Sequence, residues 1–314
     1  MSQNPYENEP GFEDAKSDYD KKNQQAYVAK IRHETLRVSV IERLEDYLGI
    51  RQGKSVVTVY NAEDDYQATS TEAPFEPFKD LCKRRFLWYY ESYLLSIEEE
   101  SKKHKDGERF EKMPFEGPGN SMEGAYRYED LKARLETIRD KLNEEIESWA
   151  TEGLLAVEKE LSIASNLQRQ FEQMVENYKQ NDTAMLDIEL VDKNPFVWQM
   201  ILFGRPSTNL EGGVFRIQIH LSPRFPDVLP RVRFETPIFH HRVSPKGILC
   251  YEASRKDDMR SHIEAILAAI EEESPAYDPR TLVNPEAASL FWGSLEDKKM
   301  YNRKLRRSVQ DSTE

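Results

Sequence analysis

Cysteine is nearly missing from this sequence: its 314 residues include two, Cys82 and Cys250. Two thiols set so far apart make no disulfide framework, and without a Cys-x-x-Cys pair no thiolate metal site is expected. Such sparing use suits a reducing compartment. No window reaches about 18 apolar residues, and no basic segment leads into an apolar core near Met1, so neither a membrane span nor a signal peptide is expected. Those absences place the expected location in cytoplasm or nucleus, with no membrane partner. A cationic excess is lacking too: 44 Lys and Arg against 57 Asp and Glu leave a net charge of −13. An acidic chain of this kind argues against nucleic acid as a partner.

What is present supports a folded protein. Apolar residues make up 38% and aromatics 11% of the chain, enough for a buried core, and the length allows two domains. The first half reads as helical. Ala26 to Leu48 carries Ile31, Leu36, Val40, Ile41, Leu44 and Leu48 on one broad face and stops at Gly49. Residues 52–77 read as a loop with a short strand-like piece at Val56 to Tyr60. A second helix spans Pro77 to Glu100, and its many aromatics read as core or docking surface rather than a ligand cage. His33 reads as a surface or capping histidine and Cys82 as a buried structural thiol. Residues 102–123, charged and rich in glycine and proline, read as a mobile connection. From Tyr128 a helical pattern runs to Trp149 and resumes after Gly153 with Leu154, Val157, Leu161, Ala164, Leu167, Phe171 and Val175. The helix of the first half is thereby expected to feed almost directly into the first helix of the second.

The second half alternates. Strands are predicted near Ala184 to Glu189, Val197 to Phe203, Val214 to Leu221 and Arg231 to Glu235. Helices are predicted at about 156–179, 260–272, 285–290 and 295–309. Helix, antiparallel meander, then helices is an α+β layer. After the last strand an apolar run breaks at His240, turns at Ser244-Pro245-Lys246-Gly247 and delivers Cys250. His240, His241, Cys250 and His262 hold no short ligand pair, and adjacent histidines on a turn do not face one ion, so no metal is expected. No Asn or Asp context suggests a protease dyad.

The order of motifs resembles the ubiquitin-conjugating (UBC) family. His240 and Cys250 stand at the spacing the family keeps between the histidine of its His-Pro-Asn turn and its catalytic cysteine. Upstream, Asn194-Pro195-Phe196-Val197-Trp198, Glu211-Gly212-Gly213-Val214-Phe215 and Phe225-Pro226 with Pro230 resemble further family motifs, as does Asn284-Pro285-Glu286-Ala287-Ala288 downstream. The segments Asn4 to Phe12, Ile31 to Val38, Phe86 to Tyr90 and Tyr128 to Arg139 resemble the C-terminal region of the large, Z-type members of the same family. The expected organisation is a remnant of a preceding UBC-like domain in 1–12, a helical extension in 13–155 and a divergent UBC domain in 156–314. The chain would then begin inside a longer architecture.

The resemblance implies a ubiquitin-conjugating acyltransferase. A ubiquitin or ubiquitin-like modifier passes from an activating enzyme to the Cys250 sulfur, then to a substrate lysine or a ligase. No cofactor is implied. His240 would hydrogen-bond the turn backbone, and Arg242, where the family has asparagine, would serve the oxyanion or favour the thiolate. The departures are substantial. His241-Arg242 replaces Pro-Asn, Tyr251-Glu252 stands where the family has Leu-Asp, a charged segment Arg255 to Arg260 replaces the Trp-Ser-Pro loop, and Asp227 stands where ligases and activating enzymes grip an aromatic. Standard RING and HECT ligases are expected to dock poorly. The alternative is a catalytically weak or inactive UBC-fold module, a protein-binding scaffold beside a catalytic domain absent from this chain.

Overall fold

A computed structural model of the chain describes residues 18–51, 78–117, 122–179, 185–273 and 275–314. The strand-like piece at Val56 to Tyr60 and the segment 1–12 lie outside these residues. Two compact units form: one takes residues 1–76 and 93–140, the other 77–92 and 141–314. The division falls inside two long helices.

In the larger unit, alternation sets the sheet. Strands β1 (Leu186–Leu190), β2 (Val197–Phe203), β3 (Val214–His220) and β4 (Arg231–Phe234) pair antiparallel in the order β1-β2-β3-β4. The register places Met200 beside Ile217 and Ile217 beside Phe234. Because side chains alternate, Trp198, Met200, Leu202, Phe215, Ile217, Ile219, Val232 and Phe234 all fall on one buried face. Helix α5 (Ser162–Lys179) covers that face with Leu167, Met174 and Phe171, whose ring meets Trp198 edge-on at 5.4 Å. Helix α6 (Met259–Glu271) adds Ile263, Ile266 and Ile270, and α8 (Leu295–Asp311) adds Tyr301, Leu305 and Val309. The short α7 (Pro285–Phe291) starts at Asn284, whose side chain accepts from the Ala287 N–H. Proline at its first position costs no hydrogen bond. This is the α+β arrangement with a four-stranded meander and flanking helices.

Two long helices contribute to both units. Helix α3 spans Lys79–Ser101, and α4 spans Tyr128–Glu158. Gly153 does not interrupt α4, contrary to the sequence reading. It gives close approach to the Phe196 ring, which a Cβ would meet at 2.5 Å. The break comes at Glu160, with φ of 50°, before α5 begins. A helical stripe cannot stay in phase across that break, so Leu154, Val157 and Leu161 are exposed while Ala164 and Leu167 are buried.

The smaller unit is helical over α1 (Asp18–Glu34), a π-helix (Thr35–Glu42) and α2 (Arg43–Leu48), closed by Gly49 in the left-handed conformation. His33 is buried, not at the surface. Its Nε2 accepts from the Arg127 N–H at 3.0 Å, its Nδ1 lies 3.0 Å from Glu34, and Phe110, Tyr126 and Tyr128 surround the ring edge-on. Within the charged connection, Phe110 and Gly107 donate to the carbonyls of Gly124 and Tyr126, and a buried Lys30–Glu116 ion pair fixes Glu116 to α1. Arg134 holds Glu45 in a two-pronged pair, both bonds at 2.7 Å.

Candidate active site

The turn that carries the cysteine closes on itself. Gly247, at φ of 84°, donates to the Ser244 carbonyl, and the Ser244 N–H and hydroxyl both bond to the backbone of Ile248. A Cβ on Gly247 would lie 2.2 Å from the Phe234 carbonyl, so only glycine fits. Val243 bridges Leu249 antiparallel, and the Cys250 N–H donates to the Arg242 carbonyl at 2.9 Å. Leu249 and Phe234 tie the returning strand to β4. Cys250 and Arg242 therefore sit side by side on a rigid two-stranded corner.

His240 is buried, and its Nδ1 accepts the Arg242 N–H at 3.1 Å. Burial, with the Arg242 charge in the same sense, holds this imidazole well below its usual range, so it is neutral and acts on the turn backbone. His241 stacks on Phe291 at 4.3 Å, meets Trp292 edge-on and lies 3.3 Å from the Tyr301 hydroxyl. Its carbonyl accepts the N–H groups of Val283 and Asn284, which docks the segment before α7 against the turn. Burial with the Arg242 charge lowers the His241 pKa to about 3. Arg242 approaches Glu272 at 3.6 Å, while its buried Nε has no hydrogen-bond partner among the described residues.

The Cys250 side chain is enclosed, with 2% of the residue exposed. Trp88 and Val283 form a buried apolar cluster with it, and Tyr89 and Ile248 pack against that cluster. Its thiol donates to the Arg280 carbonyl at 3.8 Å, and the Tyr89 hydroxyl donates to the same oxygen. Burial pushes the thiol up to about 12, with the Arg242 charge acting in the opposite sense. In this arrangement Cys250 is a protonated thiol at neutral pH. Cys82 lies elsewhere on α3 and is half-buried.

Trp88, Tyr89, Arg280 and Val283 were not singled out by the sequence as site residues. The one hint was Phe86-Leu87-Trp88-Tyr89-Tyr90, an apolar run too wide for one helix face, which requires burial on more than one side. Elsewhere, His262 bonds the Tyr251 hydroxyl through Nδ1 and the Lys256 carbonyl through Nε2, so it is a core histidine away from Cys250. Among the described residues no three His, Cys, Asp or Glu side chains gather to hold a metal ion, and no helix is long and apolar enough to cross a membrane. Asp227 and the segment Arg255–Asp257 are exposed, so the changed loops present charge to solvent.

Comparison with known proteins shows the family. Residues 166–309 match the family described as ubiquitin-conjugating enzyme. A probable ubiquitin-conjugating enzyme E2 L460 of Acanthamoeba polyphaga mimivirus is 32% identical over 138 residues, which cover 42% of this chain and 83% of that protein. Ubiquitin-conjugating enzyme E2 3 of Arabidopsis thaliana is 30% identical over 122 residues, 38% of this chain and 79% of that one. Ubiquitin-conjugating enzyme E2 2 of Neurospora crassa is 29% identical over 127 residues, 40% and 81% of the respective chains. The fold, the turn that presents Cys250 and these relatives together place the chain in the ubiquitin-conjugating enzyme family.

Proposed function

We propose that the chain is a ubiquitin-conjugating enzyme whose Cys250 carries the modifier as a thioester. The observation that carries this reading is the corner itself: His240 and the Cys250 N–H both bond to the backbone of Arg242, so the one cysteine of the turn is fixed beside that residue, whose charge acts on the thiol. The Cys250 thiolate attacks the thioester carbonyl held on an activating enzyme, and the activating enzyme's thiol leaves. A substrate lysine amine or a ligase thiol then attacks the new thioester and releases the Cys250 thiolate. In both steps negative charge develops on the carbonyl oxygen. Arg242, with a buried Nε that lacks a partner among the described residues, is the proposed donor to that oxygen. Activating enzyme, modifier and ligase or substrate protein are the proposed partners. The exposed Asp227 and the charged segment at Arg255 to Asp257 favour partners other than those that grip an aromatic there.

One observation favours a second reading: a thiol that is buried and protonated is not a nucleophile, as in a conjugating-fold scaffold without activity. A non-reducing thioester assay with activating enzyme, ATP and tagged ubiquitin separates the two. A thiol-labile adduct kept by Cys82→Ser and lost in Cys250→Ser supports the enzyme. Absence of any adduct, from wild type and from a chain whose Cys250 has been made accessible, supports the scaffold.

A further inference from the structure

Cys250 is not closed off by its own turn alone. Of the residues that enclose it, Val283 and Arg280 come from the segment before α7, and Trp88 and Tyr89 come from α3, about 160 positions earlier in the chain and within the same compact unit. Trp88 belongs to the buried apolar cluster that encloses Cys250, and the Tyr89 hydroxyl donates to the Arg280 carbonyl that also accepts the thiol proton. Three polar contacts fasten this stretch of α3. Asp80 meets the buried Arg231 guanidinium at 2.5 Å and accepts from the Leu229 N–H at 3.3 Å. Arg84 lies 3.7 Å from Glu252 while its guanidinium sits over the Trp88 ring at 5.2 Å. A modifier carbonyl must come within bonding distance of the sulfur, and with Cys250 2% exposed inside the cluster that holds Trp88 it has no open path there. The Glu252 end of the latch is more than half exposed, so it is the contact most readily broken.

We propose that residues 80–89 of α3 form an autoinhibitory cap over Cys250, which must move away before the modifier can be loaded. The inference rests on the thioester reading only for its purpose, since the cap is a physical barrier whether or not a modifier ever arrives. Removing the cap exposes the sulfur to water, which relieves the desolvation that keeps its proton on.

The test reads the barrier without ubiquitin. In the full chain, the rate at which N-ethylmaleimide modifies Cys250 is followed by mass spectrometry of the peptide that carries Cys250, read separately from the Cys82 peptide, with far-UV circular dichroism on each variant. Native protein is expected to react about a hundredfold more slowly than the chain in urea, because reaction requires local opening. Trp88→Ala with Tyr89→Ala should react at least about tenfold faster than native protein, and Trp88→Phe should remain slow. Tyr89→Phe, which removes only the hydroxyl bonded to the Arg280 carbonyl, serves if the alanine pair loses helical signal; it should give about a threefold gain. Native Cys250 reacting at the unfolded rate would overturn the cap, and so would folded variants as slow as wild type. Faster labelling with no thioester under any condition would leave the cap standing and refute the thioester reading.

Discussion

His241 stands where the family pattern has proline, and its surroundings make it a neutral imidazole held among Phe291, Trp292 and Tyr301. The unfolded chain takes up a proton on this residue as pH falls through about 6.5, while the folded chain does not until about 3. Stability is thus at its full value above 6.5 and declines through that window as pH falls, by about 1.4 kcal/mol per pH unit for one such group. His220, His240 and His262 are shifted in the same direction by burial, so their effects add to the slope. His241→Phe keeps the ring stack, and we expect the pH dependence of urea unfolding between pH 6 and 4 to flatten by about one proton. An unchanged slope would mean that His241 is protonated in the fold. At this scale the sequence was only partly legible. The spacing from His240 to Cys250 pointed to the corner, yet nothing local told that His33 would be buried or that the Cys250 thiol would be covered, because both depend on residues far along the chain.

At the scale of elements, the turn at residues 244–247 is held by Gly247. Its φ of 84° and the Phe234 carbonyl 2.2 Å from a would-be Cβ leave no room for a side chain. Gly247→Ala is expected to cost at least about 2 kcal/mol in urea unfolding, from the left-handed backbone together with the forced shift of β4. A loss of a few tenths would show that the turn adapts. Turn and strands were readable because their signals are local. Val197 to Phe203 was placed to the residue by its apolar run, and the other strands and the last three helices to within one or two residues, apart from the first strand, whose predicted start at Ala184 falls outside the described residues. Gly153 misled for a physical reason. A glycine inside a helix can mark a close approach by another side chain instead of a stop, and here the neighbour is Phe196, from the opposite side of the break at Glu160.

At the scale of the whole molecule, the unit that holds the conjugating fold also contains residues 77–92, so a helix of the first half completes the unit that carries Cys250. That assembly was not legible in the sequence: charge pairs such as Asp80 with Arg231 and an apolar contact such as Trp88 with Cys250 carry no periodicity that links them. The central claim, a thioester acceptor under a cap, is tested most directly by comparing thioester yield over time in three chains. These are wild type, Trp88→Ala with Tyr89→Ala, and the same pair with Cys250→Ser, each incubated with activating enzyme, ATP and tagged ubiquitin. The account predicts a thiol-labile adduct that forms faster on the uncapped chain than on wild type and is absent from the serine variant. A folded, uncapped chain that forms no such adduct would contradict it.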